Sequence, residues 1–217
     1  MQTLTERVIE QGLANRILSE RQLERVIGGR PARRYGLVNR ALKAKELVRV
    51  RRGLYLVAQR YRTEPTHPFA VAQALEPLSY VSFETALSYH GWIPESVGTT
   101  ASVVPGRKSS SIEHPVLGSF TFHPLALDRG HFLELIERQM LGAQIALVAR
   151  PIRALMDLIC LRKLEWQGLT WLTEGMRIEE RYLQSVTRAE LETLLQVYKQ
   201  TRPKSFLSAL AKVLHLD

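Results

Sequence analysis

The stretch PARRYGLVNRALKAKELVRVRRGLYLV, residues 31–57, decides how the chain is read. Its first part sets Tyr35, Val38, Ala41 and Leu42 on one side at helical spacing. Arg33, Gly36, Arg40 and Lys43 fall on the other, with Asn39 at the edge. That periodicity predicts a helix over about 32–44. Val48-Arg49-Val50-Arg51 then alternates apolar and basic, the period of a half-buried strand. Arg52-Gly53 signals a tight turn, and Leu54-Tyr55-Leu56-Val57 returns as a second strand.

Upstream, Thr3-x-x-Glu6 and Ser19-x-x-Gln22 are capping boxes, in which the side chains of both residues satisfy free backbone N–H groups at a helix start. The first opens a helix to about Asn15 with Val8, Ile9 and Leu13 inside. The second opens a short helix with Leu23, Val26 and Ile27 inside, ended by Gly28-Gly29. Three helices followed by a β-hairpin make the layout of a winged helix-turn-helix over residues 1–62.

Charge supports the division. Residues 1–62 hold fifteen Lys and Arg against five Asp and Glu, a net of +10. The remainder holds fifteen against sixteen, a net of −1. A basic module fused to a neutral one suggests a polyanion partner. A basic membrane-surface module would need an amphipathic helix with a large apolar face, and none is evident.

A helix in the major groove shows one face to base edges and packs the other on its own domain. Arg33, Arg34, Gly36, Asn39, Arg40 and Lys43 are the candidate contacts there. Arg suits guanine, Asn suits adenine, and a glycine lets the backbone come close. Arg49, Arg51 and Arg52 on the hairpin would meet phosphates or the minor groove. One basic helix alone reads equally well as a solvated face; helix plus hairpin favour double-stranded DNA, with RNA the main alternative.

Residues 63–217 read as a mixed α/β domain. Prolines 65 and 68 mark a linker over Arg60–Pro68. Helices are predicted over His67–Leu75, Ser82–Gly91, Pro151–Leu164, Arg188–Gln200 (behind a third capping box, Thr187-x-x-Glu190) and Lys204–Leu214. Strands are predicted over Thr99–Val104, Ile112–Val116, Ser119–Pro124, Phe132–Met140 and Ala143–Val148, and Gly106–Ser111 is the most loop-like stretch. The fold class is therefore α+β.

Enzyme chemistry finds little purchase. The six histidines form no H-x-x-x-H or H-E-x-x-H pair, and there is no P-loop or G-x-S-x-G. Cys160 stands alone in an apolar run, so neither a disulfide nor a zinc site is expected, and a reducing cytoplasm fits. Asp157, between Leu155 and Leu158, reads as a cap or salt bridge rather than a catalytic group. Trp166 and Trp171 read as core. Glu174, Glu179 and Glu180, the densest acidic set, read as a solvated face. No enzyme activity, cofactor or metal is expected from these motifs, and no membrane span, because no apolar run approaches the ~20 residues a span needs.

Three segments resemble the AbiEi family of antitoxins, regulators of type IV abortive-infection toxin–antitoxin systems. Leu47–Tyr55, LVRVRRGLY, is similar to the family's R-x-G-x-Y wing. Tyr80–Pro94, YVSFETALSYHGWIP, resembles its Y-V-S-x-x-(S/T)-A-L-x-x-H-G-x-I-P run. Ala149–Leu158, ARPIRALMDL, resembles its P-E-(K/R)-A-L-x-D segment, with Ile152 where glutamate is usual. The resemblance implies a DNA-binding N-terminal domain that represses its own operon from upstream repeats, with Arg49, Arg51 and Arg52 in the wing role. It also implies a C-terminal domain that counteracts a nucleotidyltransferase toxin. The alternative is a stand-alone regulator whose second domain senses a ligand or dimerises. No heptad seam is visible, so a monomer or a dimer assembled on DNA is expected.

Overall fold

Residues 2–216 are described in a computed structural model of the chain. It is α+β, with two sheets, and divides into two compact units. The first takes residues up to Pro77 with 114–117 and 140–146; the second takes 78–113, 118–139 and the chain from 147 onward.

In the first unit, α1 (Leu4–Glu10), α2 (Glu20–Ile27) and α3 (Pro31–Lys43) surround one apolar cluster. Leu4, Val8, Leu18, Leu23, Val26, Ile27, Ala41, Leu47 and Val57 form its buried centre, with Leu37, Val38 and Leu42 of α3 packed against it. Each such aliphatic side chain contributes about 1.5–3 kcal/mol when fully buried. Both capping boxes form: Glu6 N–H donates to Thr3 Oγ1 at 3.2 Å and Thr3 N–H to Glu6 Oε2 at 2.8 Å, and Ser19 and Gln22 repeat the exchange at 3.3 and 2.8 Å. Caps of this kind contribute about 1 kcal/mol each.

The strands β1 (Leu18–Ser19), β2 (Leu47–Arg51) and β3 (Leu54–Val57) make an antiparallel sheet in the order β1-β3-β2. The short β1, invisible to periodicity, places Leu18 opposite Tyr55. A bulge at Val50 puts Arg49 opposite Tyr55 but Arg51 opposite Leu54. The helix α4 (Pro68–Leu75) completes the unit.

Two details differ from the periodicity. The helix α1 stops at Glu10, where Gln11 caps it and Gly12 turns to φ +67, so Ile9 is 41% exposed rather than inside. Tyr35, expected on the packed side of α3, is 73% exposed. Leu37, Val38, Ala41 and Leu42 supply the packing stripe, and Tyr35 lies beyond its edge.

The second sheet has six strands in the order β6-β7-β5-β4-β9-β8. They are β4 (Tyr80–Val81), β5 (Thr99–Val104), β6 (Ser110–His114), β7 (Gly118–Pro124), β8 (Ile136–Leu141) and β9 (Gln144–Ala149). The sheet is mixed: β4 runs antiparallel to β5 and parallel to β9, and β5 runs parallel to β7. The helices are α5 (Phe83–Tyr89), α6 (Pro151–Arg162), α7 (Glu180–Gln184), α8 (Arg188–Val197) and α9 (Thr201–Val213). The strand predicted from Phe132 begins only at Ile136, because Leu135 adopts φ +56 and breaks the extended run. Likewise α6 ends before left-handed Lys163, and α8 ends at Val197 because Tyr198 turns extended to bridge Leu127.

The second unit is centred on a fully buried ion pair. Arg153 Nε donates to Asp157 Oδ1 at 3.0 Å, one helical turn along α6. Tyr80 and Ser82 hydroxyls donate to Oδ2 at 3.0 and 2.7 Å, and the Tyr198 hydroxyl donates to Oδ1 at 2.7 Å. The remaining Arg153 nitrogens reach the Glu134 carbonyl at 3.0 Å and the Tyr80 oxygen at 2.6 Å. A buried pair is tolerated when its spare donors and acceptors are satisfied in this way. Desolvation alone would lower the Arg153 pKa, but the Asp157 carboxylate outweighs it and the guanidinium stays charged. Burial, then Asp157, pushes both phenols well above their usual value. The expected salt bridge at Asp157 is therefore present, and the motif residues Tyr80, Ser82, Arg153 and Asp157 meet in the core.

Candidate nucleic-acid interface

The candidate residues occupy α3 and the β2–β3 hairpin. Pro31 at the first helical position and Arg30 before it start α3 without a side-chain cap. Arg33, Arg40 and Lys43 are exposed, and Gly36 and Asn39 are half-buried. An added Cβ at Gly36 would meet nothing within 4 Å, so the helix backbone is open to solvent there. The Asn39 amide makes no side-chain hydrogen bond among the described residues and keeps its donors and acceptor free.

Arg34 behaves differently. One of its terminal nitrogens donates to Glu24 Oε1 at 2.8 Å and the other to the Gly29 carbonyl at 2.7 Å. It is half-buried against α2, and the pair with Glu24 neutralises it locally. Its present geometry ties α3 to the turn before it.

On the hairpin, Arg49, Arg51 and Arg52 are all exposed while Val50 between them is buried. None of the three side chains has an ion-pair partner among the described residues. Two hydrogen bonds to backbone carbonyls hold the hairpin. Glu20 N–H, at the first turn of α2, donates to the Gly53 carbonyl at 2.9 Å. His114 Nε2 donates to the Arg49 carbonyl at 3.0 Å, while its Nδ1 accepts from the Val116 and Leu117 N–H groups.

Between α2, α3 and the hairpin lies an open cavity of about 260 Å³. Leu23, Ile27 and Val38 line it beside Tyr35, Asn39 and Arg49. Tyr35, on the packed side by periodicity, belongs to this surface. Its position four residues before Asn39 was the available signal, because side chains at that spacing are neighbours on a helix.

Elsewhere, Glu174, Glu179 and Glu180 are exposed, and Glu179 pairs with Arg181. No group of three or more His, Cys, Asp or Glu among the described residues is placed to hold a metal ion. Cys160 is free, and burial pushes its thiol up to about 11. Trp166 is half-buried edge-on to Phe206 at 5.0 Å, and Trp171 is half-buried under Gly175. No helix among the described residues is long and apolar enough to cross a membrane. A cavity of about 650 Å³ in the second unit is lined by Phe83, Glu84, His123 and Arg162 among others. Phe83 itself adopts φ +57, a conformation that costs an ordinary residue roughly 1–2 kcal/mol.

Compared with known proteins, the chain matches no family model and no curated sequence.

Proposed function

We propose that residues 1–62 are a winged helix-turn-helix and that the chain is a DNA-binding antitoxin of the AbiEi type. In this reading α3 is the recognition helix and the β2–β3 hairpin the wing. The protein represses its own operon from upstream DNA and counteracts a nucleotidyltransferase toxin in the cytoplasm, as a monomer or as a dimer assembled on DNA.

The observation that supports the DNA-binding half best is the hairpin: three exposed arginines without acidic partners among the described residues, tied at the turn to the start of α2. Cations left unpaired next to the exposed basic face of α3 fit a phosphate backbone. The antitoxin half rests on the resemblance of Tyr80–Pro94 and Ala149–Leu158 to the family's runs.

The test is binding of the purified protein to its own upstream DNA and to scrambled DNA over a range of salt. Tight, salt-sensitive preference for the upstream sequence supports the regulator; equal, weak binding to both contradicts it. Rescue of growth on co-expression with the nucleotidyltransferase encoded alongside tests the antitoxin half.

The 650 Å³ cavity beside left-handed Phe83 favours a second reading, a stand-alone regulator whose second unit senses a small ligand. Unchanged toxicity in the rescue assay would favour it over the antitoxin.

A further inference from the structure

The exposed face of α3 is not uniformly basic. Successive residues turn by about 100°, so Ala32, Gly36, Asn39 and Lys43 form its central stripe. Arg33 and Arg40 lie along one flank, and Tyr35 lies along the other. The first turns of the central stripe carry no charge. The cations sit to the side or at the C-terminal end, where the phosphate backbone of a groove wall would lie. Base reading therefore falls to neutral groups: Asn39, whose amide is free, and Tyr35, 73% exposed one turn earlier.

Their chemistry is selective. A carboxamide offers a donor and an acceptor side by side, the complement of adenine N6 and N7. An aromatic ring edge offers an apolar surface, and the thymine 5-methyl is the apolar feature of the major groove. Residues four apart on a helix lie about 6 Å apart along its axis, and base pairs about 3.4 Å apart along a duplex. Tyr35 and Asn39 thus reach base pairs about one to two steps apart. Gly36 lies between them with no Cβ, and the space an added one would fill is empty, so the helix can come close. We propose that Tyr35 and Asn39 together read a short A·T step, Asn39 by hydrogen bonds to adenine and Tyr35 by contact with a thymine methyl group.

This inference rests on the DNA-binding reading and is tested separately from it. Wild-type protein first selects its preferred site from randomised duplexes. Each thymine in that site is then replaced by uracil, which removes only the methyl group. The expected result is an A·T step in the site and one thymine whose replacement weakens wild-type binding about three- to fivefold, the loss of one buried methyl. Tyr35→Ala should bind the thymine and uracil duplexes equally, and Tyr35→Phe should keep the difference. Because Tyr35 is exposed, Tyr35→Ala should melt like the wild type.

A site containing only G·C pairs, uracil tolerated at every position, or a Tyr35→Ala protein that keeps the uracil penalty would each overturn the A·T reading and leave DNA binding intact. Failure to select any sequence overturns the DNA reading and this inference with it.

Discussion

Glu20 N–H donates to the Gly53 carbonyl at 2.9 Å, joining the first turn of α2 to the turn of the β2–β3 hairpin. The bond needs the hairpin to reverse at Gly53, which does so at φ +80. An L-residue there costs roughly 1–2 kcal/mol. Gly53→Ala should lower the stability of the protein by that amount in denaturant titration. If the hairpin binds DNA as proposed, the change should also weaken that binding, because Arg51 and Arg52 lead directly into this turn. Unchanged stability would show that the turn is not held in this form.

The pair of Arg153 and Asp157 predicts an asymmetry. Asp157→Ala leaves a buried guanidinium and should cost about 3–5 kcal/mol. Replacing both with apolar residues of similar size, as in Arg153→Met with Asp157→Leu, removes the stranded charge and should recover the part of the loss that charge causes, while the Tyr80, Ser82 and Tyr198 hydroxyls still lack their acceptor. Denaturant midpoints of the two proteins provide the check. A double variant no more stable than the single one contradicts the account.

Gly36 separates stability from binding. It lies within α3 with open space where a Cβ would go. Gly36→Ala should raise stability by about 0.5–1 kcal/mol through helix propensity. If α3 lies in the groove as proposed, the same methyl would stand between helix and DNA, and affinity should fall. A gain in both would mean that this face of α3 does not approach the duplex.

Three histidines, His67, His90 and His123, are held below their ordinary pKa by burial and set a pH dependence. Burial lowers the pKa of His90, which donates to the Ala149 carbonyl at 2.9 Å, and of His123, below the ordinary 6.5. Below about 6.5 the unfolded chain therefore binds protons that the folded one refuses, and stability falls as pH drops. The contribution is complete above 6.5 and is lost as pH falls through the depressed folded values. Melting temperature should decrease between about pH 7.5 and 5.5, and decrease less in a His90→Gln, His123→Gln protein. An equal decrease in both proteins would assign the effect elsewhere.

Much of the first unit was legible because its signals are local. Capping boxes at Thr3 and Ser19, glycines after Ile27 and the alternation of Val48–Arg51 all act within a few residues. Several of the differences depended on partners distant in sequence. Tyr35 is apolar enough to read as core, but the burial stripe on α3 is set by its contact with the rest of the cluster and stops at Val38 and Leu42. Arg34 reads as a surface cation until Glu24, ten residues earlier, claims it. The strand β4, two buried residues with neighbours on both sides, is too short to show any period. Asp157 was legible as a salt bridge because Arg153 lies four residues away on one helix, but its tyrosine partners come from β4 and from beyond α8.

The most direct measurement of the central claim is the salt dependence of DNA affinity for the wild type and for Arg51→Ala, Arg52→Ala protein, from about 50 to 200 mM salt. If the hairpin arginines sit on phosphates, the slope of log K against log salt should fall in magnitude by about two, roughly one for each lost contact. An identical slope in the two proteins would contradict the hairpin's place at the interface.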